Sequence, residues 1–182
     1  MTVQALRRGR PEVLAELLDR YGRDMQAVAY LIVRDRAAAE DIVADSLLAA
    51  LDHGRSLRDD DALRPWLLRI ATNKALRYRQ RAAHVVELQV VEGAVAEPRG
   101  PTADDSLALW QAVRDLPPRM RAAIGLRYYL DLPVETVAEV LQVSPNTIKT
   151  QLKSALGHLR TALADEPMIR LRNSDWLRRL LA

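Results

Sequence analysis

Two short runs of cationic, amide and hydroxyl side chains carry the chemistry open to this chain. From Arg69 to Arg81 the sequence RIATNKALRYRQR sets Arg69, Asn73, Arg77 and Arg81 four residues apart, with Lys74 beside them. The run holds five basic residues and no acid. At helical spacing such a row tracks a phosphate backbone by charge, and Asn73 in its midst is a side chain able to pair with a base edge. A second face gathers Asn146, Thr147, Lys149, Thr150, Lys153 and Ser154, again without an acid. Donors and amides of that kind meet phosphates and base edges in a major groove.

Nothing beside these runs points to catalysis. The chain has no cysteine, and His53, His84 and His158 are too scattered to form a zinc set. No nucleophile–base pair and no Gly-rich phosphate loop stands out. The expectation is a recognition protein, not an enzyme, with no cofactor. The absence of thiols fits a reducing compartment. The opening MTVQALRRGRPEV lacks the apolar core of a signal peptide, and no apolar run approaches membrane-spanning length, so no membrane insertion and a cytoplasmic location are expected. The 27 Lys and Arg residues against 24 acids leave a net charge of only +3, so the distribution of charge matters more than its total.

Both runs need helices to position them. Nearly half of the residues are apolar, glycine is scarce and phenylalanine is absent, which predicts an all-α chain. Apolar residues recur at helical spacing from Pro11 to Val33, with a break expected at Gly22. A second helix is predicted from about Ala37 to Leu51, then a loop over HGRSLRDDD, then a third helix from near Ala62 to about Arg81 with its apolar stripe on Leu63, Trp66, Leu67, Ile70 and Ala71. From 82 to 105 the periodicity dissolves into a segment with two Gly, two Pro, five acids and one Arg, read as a flexible acidic linker, with a short strand over VVELQVV as the lesser alternative. Limited proteolysis is expected to cut there first. The layout is two small helical domains, 10–81 and 106–163, around the linker 82–105.

The segment PVETVAEVLQVSPNTIKTQLKSALGHLR, Pro133 to Arg160, spells a helix-turn-helix. Val134, Val137, Ala138 and Leu141 mark one face of the first helix. Ser144 is placed as an N-cap with Pro145 at the first position of the second helix, whose buried stripe is Ile148, Leu152, Ala155, Leu156 and Leu159. An ordinary helical hairpin with a solvated polar face would show the same periods. The agreement of cap, proline position and acid-free face favours DNA. In the second predicted helix the sign reverses. Glu40, Asp41 and Asp45 rim an apolar patch that includes Leu47 and Leu48, which is either a docking surface for a basic partner or helix-dipole acids beside core leucines.

Taken in order, AEDIVADSLLAAL followed by RPWLLRIATNKALRYRQR resembles region 2 of bacterial sigma factors of the extracytoplasmic-function (ECF) group, and LPPRMRAAIGLRYYLDLPVETVAEVLQVSPNTIKTQLKSALGHLR resembles region 4. The resemblance covers most of residues 10 to 163. It implies a promoter-specificity subunit that binds core RNA polymerase, through the β′ clamp helices and the β subunit, and directs transcription initiation at promoter DNA. The −10 element would fall to Trp66, Arg69, Asn73, Lys74, Arg77 and Arg81, and the −35 element to Asn146, Thr147, Lys149, Thr150, Lys153 and Ser154. Polymerase docking would fall to Glu40, Asp41, Asp45, Leu47 and Leu48. An anti-sigma factor is a further class of partner.

The chain departs from the family pattern at three places. Ala44 stands where Gln is common, Leu67 follows Trp66 where primary sigma factors have a second Trp, and Gln142 replaces a frequent Gly at the turn. The alternative reading is a self-contained helix-turn-helix regulator binding duplex DNA as a dimer, which would need a palindromic site. A helical adaptor without DNA binding is a third. The tail 164–182, with Ile169, Leu171, Trp176, Leu177, Leu180 and Leu181 beside four Arg, is read as a short amphipathic helix packing on the second domain, with a regulatory contact as the lesser alternative.

Overall fold

The computed structural model describes residues 2–54, 57, 59–88 and 104–162. The helix expected in the tail and residues 89–103 of the expected linker lie outside them. Among the described residues all regular structure is helical: α1 (Thr2–Arg7), α2 (Val13–Val33), α3 (Arg36–His53), α4 (Leu63–Leu88), α5 (Asp104–Asp115), α6 (Pro118–Ile124), a π-type turn (Gly125–Tyr129), α7 (Val134–Leu141) and α8 (Pro145–Ala162).

Local chemistry sets most of these boundaries. Arg34, left-handed at φ 65°, ends α2 by donating its backbone N–H to the Tyr30 carbonyl. The Asp35 carboxylate then caps α3 by accepting from the Ala38 N–H at 3.1 Å. Pro118 opens α6, and Ser144 caps α8 by accepting the Thr147 N–H at 3.1 Å. Gly22 does not break α2. An interior glycine costs a helix only about 1 kcal/mol, and α2 packs along both α3 and α4, which outweighs that. The helix α4 runs to Leu88, so Ala82–Leu88 continues the helix where a linker or strand was expected. No Gly or Pro interrupts the chain there to stop it.

The helices α2, α3 and α4 pack pairwise around Leu17, Met25, Ile32, Leu67 and Ala71. The short α1, which periodicity did not reveal, lies across α2 and α3 with Leu6 fully buried, and its Val3 N–H donates to Asp60 Oδ1 at 3.2 Å. In the second domain α8 packs on α5, α6 and α7 around Leu109, Leu126, Val137, Ile148 and Leu159.

The two domains also pack on each other. α2 meets α6 and the π-type turn, α4 meets α6 and α7, and the buried residues form one continuous core. At the seam Arg121 is 2% exposed. Its Nη1 donates to the Arg114 carbonyl at 2.8 Å and its Nη2 to the Ile32 carbonyl at 3.1 Å. Both acceptors lie in the last turns of helices, where the backbone presents partial negative charge to a cation. Arg64 Nη2 reaches the Leu130 carbonyl at 3.3 Å while its Nη2 also lies 2.7 Å from Asp24.

Candidate nucleic-acid interface

The buried side of α4 runs from Leu63 and Leu67 through Ala71, Ala75 and Leu68 to Thr72 and Leu76. At about 100° per residue this covers more than half of the helix circumference, wider than the stripe a helix buries on one neighbouring layer. The additional cover comes from α6 and α7. A row of residues four apart turns by about 40° per step. Arg69 borders the covered sector and Asn73 and Arg77 follow it onto the uncovered side; Arg69 and Asn73 are half-buried, while Arg77 and Arg81, which lie beyond the buried Leu76 along the helix, are exposed. Asn73 Nδ2 donates to Gln142 Oε1 at 3.1 Å.

Two of the expected −10 residues sit differently from the rest. Lys74, one position on from Asn73, points to the other side of α4, where its ammonium lies 3.9 Å from Asp45. The four expected cations thus do not share one face. Trp66 is half-buried and packs against the core. Leu67, where a second aromatic stands in primary sigma factors, is fully buried and has no surface to offer a nucleic acid.

On α8 the buried stripe is Ile148, Leu152, Ala155 and Leu159, with Leu156 half-buried. Asn146, Lys149, Thr150 and Lys153 are exposed on the opposite side, with Thr147 and Ser154 at its margin. Two of the hydroxyls are engaged within the helix. Thr147 Oγ1 pairs with Ser144 Oγ at 2.9 Å, and Thr150 donates to the Asn146 carbonyl at 3.0 Å. The exposed amide and two ammonium groups are left as the outward chemistry. Gln142 ends α7 in the left-handed region, φ 56° and ψ 47°, so the position usually held by glycine keeps a glycine-like backbone with a long side chain on it.

The acidic face lies on α3. Asp41 and Asp45 are exposed, while Glu40 is engaged by Arg36 at 2.9 Å and by Gln26 at 3.3 Å. Leu47 is only 6% exposed, so it packs into the core and reaches the surface only as part of the groove wall. Its place on the helix turns it toward α2. Beside it an open apolar groove of about 580 Å³ runs between α2 and α3, lined by Leu14, Leu18, Gly22, Ala44, Leu47 and Leu48. Leu18 and Leu48 are 52% and 54% exposed. A Cβ on Gly22 would stand 2.8 Å from Leu18 Cδ1, so glycine leaves room for that side chain. The α2 side of this groove escaped the sequence reading. Its one signal was an apolar stripe, Leu14 and Leu18 included, broader than a single packing layer needs.

Two family models match the chain in the order the fold lays them out: sigma-70 region 2 over residues 17–85 and sigma-70 region 4 over residues 106–159, together more than half of the sequence. The chain belongs to the sigma-70 family. Within this family it is an ECF sigma factor, and its role is to confer promoter specificity on RNA polymerase. It is 27% identical over 158 residues to the RNA polymerase sigma factor SigV of Bacillus subtilis, covering 86% of this chain and 94% of the relative. It is 29% identical over 156 residues to the ECF sigma factor SigM of Mycobacterium tuberculosis, covering 81% of this chain and 79% of that one. The fold matches the sigma factor RpoE of Bartonella quintana, solved with the anti-sigma factor NepR, at a TM-score of 0.67 and 24% identity over 84% of this chain and 97% of that one. Region 2 of this sigma factor accordingly comprises α2 to α4, and region 4 spans α5 to α8. No helix among the described residues is long and apolar enough to cross a membrane.

Proposed function

We propose that this sigma factor divides promoter recognition between the exposed faces of α4 and α8 and docks on core polymerase through the α2–α3 surface. On α4, Asn73 reads a base of the −10 element by its paired donor and acceptor, while Arg69, Arg77 and Arg81 hold phosphates. On α8, Asn146, Lys149 and Lys153 enter the −35 major groove from the N-terminal half of the helix, the usual end for a recognition helix. The exposed Asp41 and Asp45 meet a basic partner surface, and the groove between Leu18 and Leu48 takes apolar side chains of that partner. The polymerase supplies the phosphoryl chemistry. An anti-sigma protein is a natural competitor for the same surfaces. The protein works in the cytoplasm, where the nucleoid is.

The observation that carries this reading is the ordered pair of acid-free helical faces, one on each domain, with the acidic and apolar surface on a separate helix pair. In-vitro transcription with core polymerase across a genomic promoter library tests it. Two unlike boxes should emerge from the active promoters. Palindromic sites bound without polymerase would refute it.

A further inference from the structure

Four arginines converge at the seam between the domains. Arg34 closes α2 and Arg79 lies on α4, while Arg114 stands in the last turn of α5 and Arg121 on α6. Arg34 Nη1 and Arg121 Nη1 meet at the Arg114 carbonyl. Arg79 and Arg114 lie close enough to act on the charge of both. Asp115, exposed at the end of α5, is the acid beside the cluster. The Asp35 carboxylate, next to Arg34 in sequence, is committed to the cap of α3.

Guanidinium groups repel one another at such a site, and a buried cation is held by pairing or it is costly. The chain's own acceptors answer only part of the need. Arg121 spends both Nη groups on backbone carbonyls, and Arg34 spends one. The Nε atoms of Arg79 and of Arg121, itself 2% exposed, are buried without a hydrogen-bond partner among the described residues. A charged donor left unmet in the interior calls for an explanation. Loss of a proton does not supply it, because Arg121, pushed down to about 10, stays charged at neutral pH.

The chemistry of the cluster selects its ligand. Planar guanidinium forks match carboxylate or phosphate oxygens. A carboxylate brings one negative charge, and Asp115 already brings one without balancing the four cations. An anion with several charges on adjoining tetrahedral groups meets the excess. Access narrows the choice further. Arg34, Arg79 and Arg114 are half-buried around the buried Arg121, so the seam admits a compact anion, whereas a nucleic-acid strand has the exposed Arg77 and Arg81 to follow.

We propose that Arg34, Arg79, Arg114 and Arg121 form a binding site for a diphosphate group, either free or carried by a nucleotide. The site goes beyond the promoter reading and does not depend on it. Each domain contributes two of the arginines, so the site is complete only in the packed, closed form of the chain. Bound diphosphate stabilises that form by mass action.

The test is calorimetric titration of the full-length chain with sodium pyrophosphate and, separately, with ADP, in buffer free of divalent cations. Sulfate at matched ionic strength is the reference anion. Pyrophosphate should bind once per chain, at least tenfold more tightly than sulfate, and should raise the melting midpoint above that in sulfate. Arg79→Gln and Arg114→Gln should each weaken binding about tenfold or more, the change expected for one charge-assisted hydrogen bond. Both variants remove one of several like charges and leave the backbone carbonyls in place, so folding is not at risk. Arg160→Gln, exposed at the end of α8, should bind as the parent does. ADP binding with the same arginine dependence would support the site and assign a nucleotide as the source, while rejection of ADP beside binding of pyrophosphate would support it with the free anion. Pyrophosphate binding no tighter than sulfate would overturn the proposal. So would affinity unchanged in both glutamine variants, or a single-stranded oligonucleotide that binds with this arginine dependence where pyrophosphate does not.

Discussion

Arg34 and Arg121, one from each domain, donate to the same oxygen, the Arg114 carbonyl, at 3.3 and 2.8 Å. Two guanidinium groups on one acceptor repel each other, and burial adds to the effect. Arg121 is pushed down to about 10, first by desolvation and then by Arg34, Arg79 and Arg114. The hydrogen bonds hold the seam closed against its own charge.

That balance predicts an unusual salt response. Raising salt from about 0.05 to about 0.5 M shortens the Debye length from roughly 14 Å to roughly 4 Å, so the repulsion fades and the closed form gains. Small-angle scattering of the free protein should show a smaller radius at high salt. Arg79→Gln should already be compact at low salt and respond less. Expansion of the parent with salt would contradict the role assigned to these arginines.

The pH response follows from the same cluster. Because the Arg121 pKa is depressed in the folded state, the unfolded chain binds more protons from about pH 10 up to the ordinary arginine range. Stability from this group therefore rises with pH only across that window and is flat below it. The difference in denaturant midpoint between the parent and Arg121→Met should therefore stay constant between pH 6 and 9.

Base reading and phosphate holding on α4 should separate by mutation. Asn73→Ala is expected to lose about 1–3 kcal/mol of discrimination among −10 variants, the value of one direct base contact. Arg77, exposed one turn on from Asn73, should hold phosphate instead. Arg77→Ala is expected to weaken all promoters alike and to make the salt dependence of binding shallower. Binding and transcription on a −10 panel at several salt concentrations measure both. Matching profiles for the two variants would exclude the division.

Polymerase docking should depend on α3 acids and on the groove beside them. Asp41→Lys with Asp45→Lys, and separately Leu48→Arg, are expected to lower affinity for core polymerase at least tenfold with little change in melting, since all three side chains are exposed. Competition for core polymerase against the parent gives the number. Full binding by both variants would move the docking surface elsewhere.

The stability of the first domain should depend on a glycine that periodicity does not single out. A Cβ at Gly54 would run into Leu6, whose side chain is fully buried. Gly54→Ala should displace α1 and lower stability by about 1–3 kcal/mol, the usual range for overpacking. Melting of the parent, Gly54→Ala and Leu6→Ala checks this, and a neutral Gly54→Ala would show that α1 contributes little.

Elements with strong local signals were legible in the sequence. The apolar periods of α2, α3 and α4, the Ser144 cap, Pro145 at the head of α8 and the acid-free faces of α4 and α8 depend on residues within a turn or two of each other, so position along the chain determines them. The resemblance of these runs to regions 2 and 4 carried the family assignment. What remained hidden depends on residues far apart. The burial of Leu47 depends on α2 lying against it, and the continuity of α2 through Gly22 depends on α3 and α4 packing along it. Lys74 belonged to the Asn73 face by sequence proximity and to Asp45 by helical rotation. Nothing near Arg64, Arg121 or Gln142 announces that they join the two domains, because their partners at Leu130, Ile32 and Asn73 lie far along the chain. Periodicity says which side of a helix is apolar. Only the tertiary structure decides what covers it, since packing is a property of surfaces that meet and not of either surface alone.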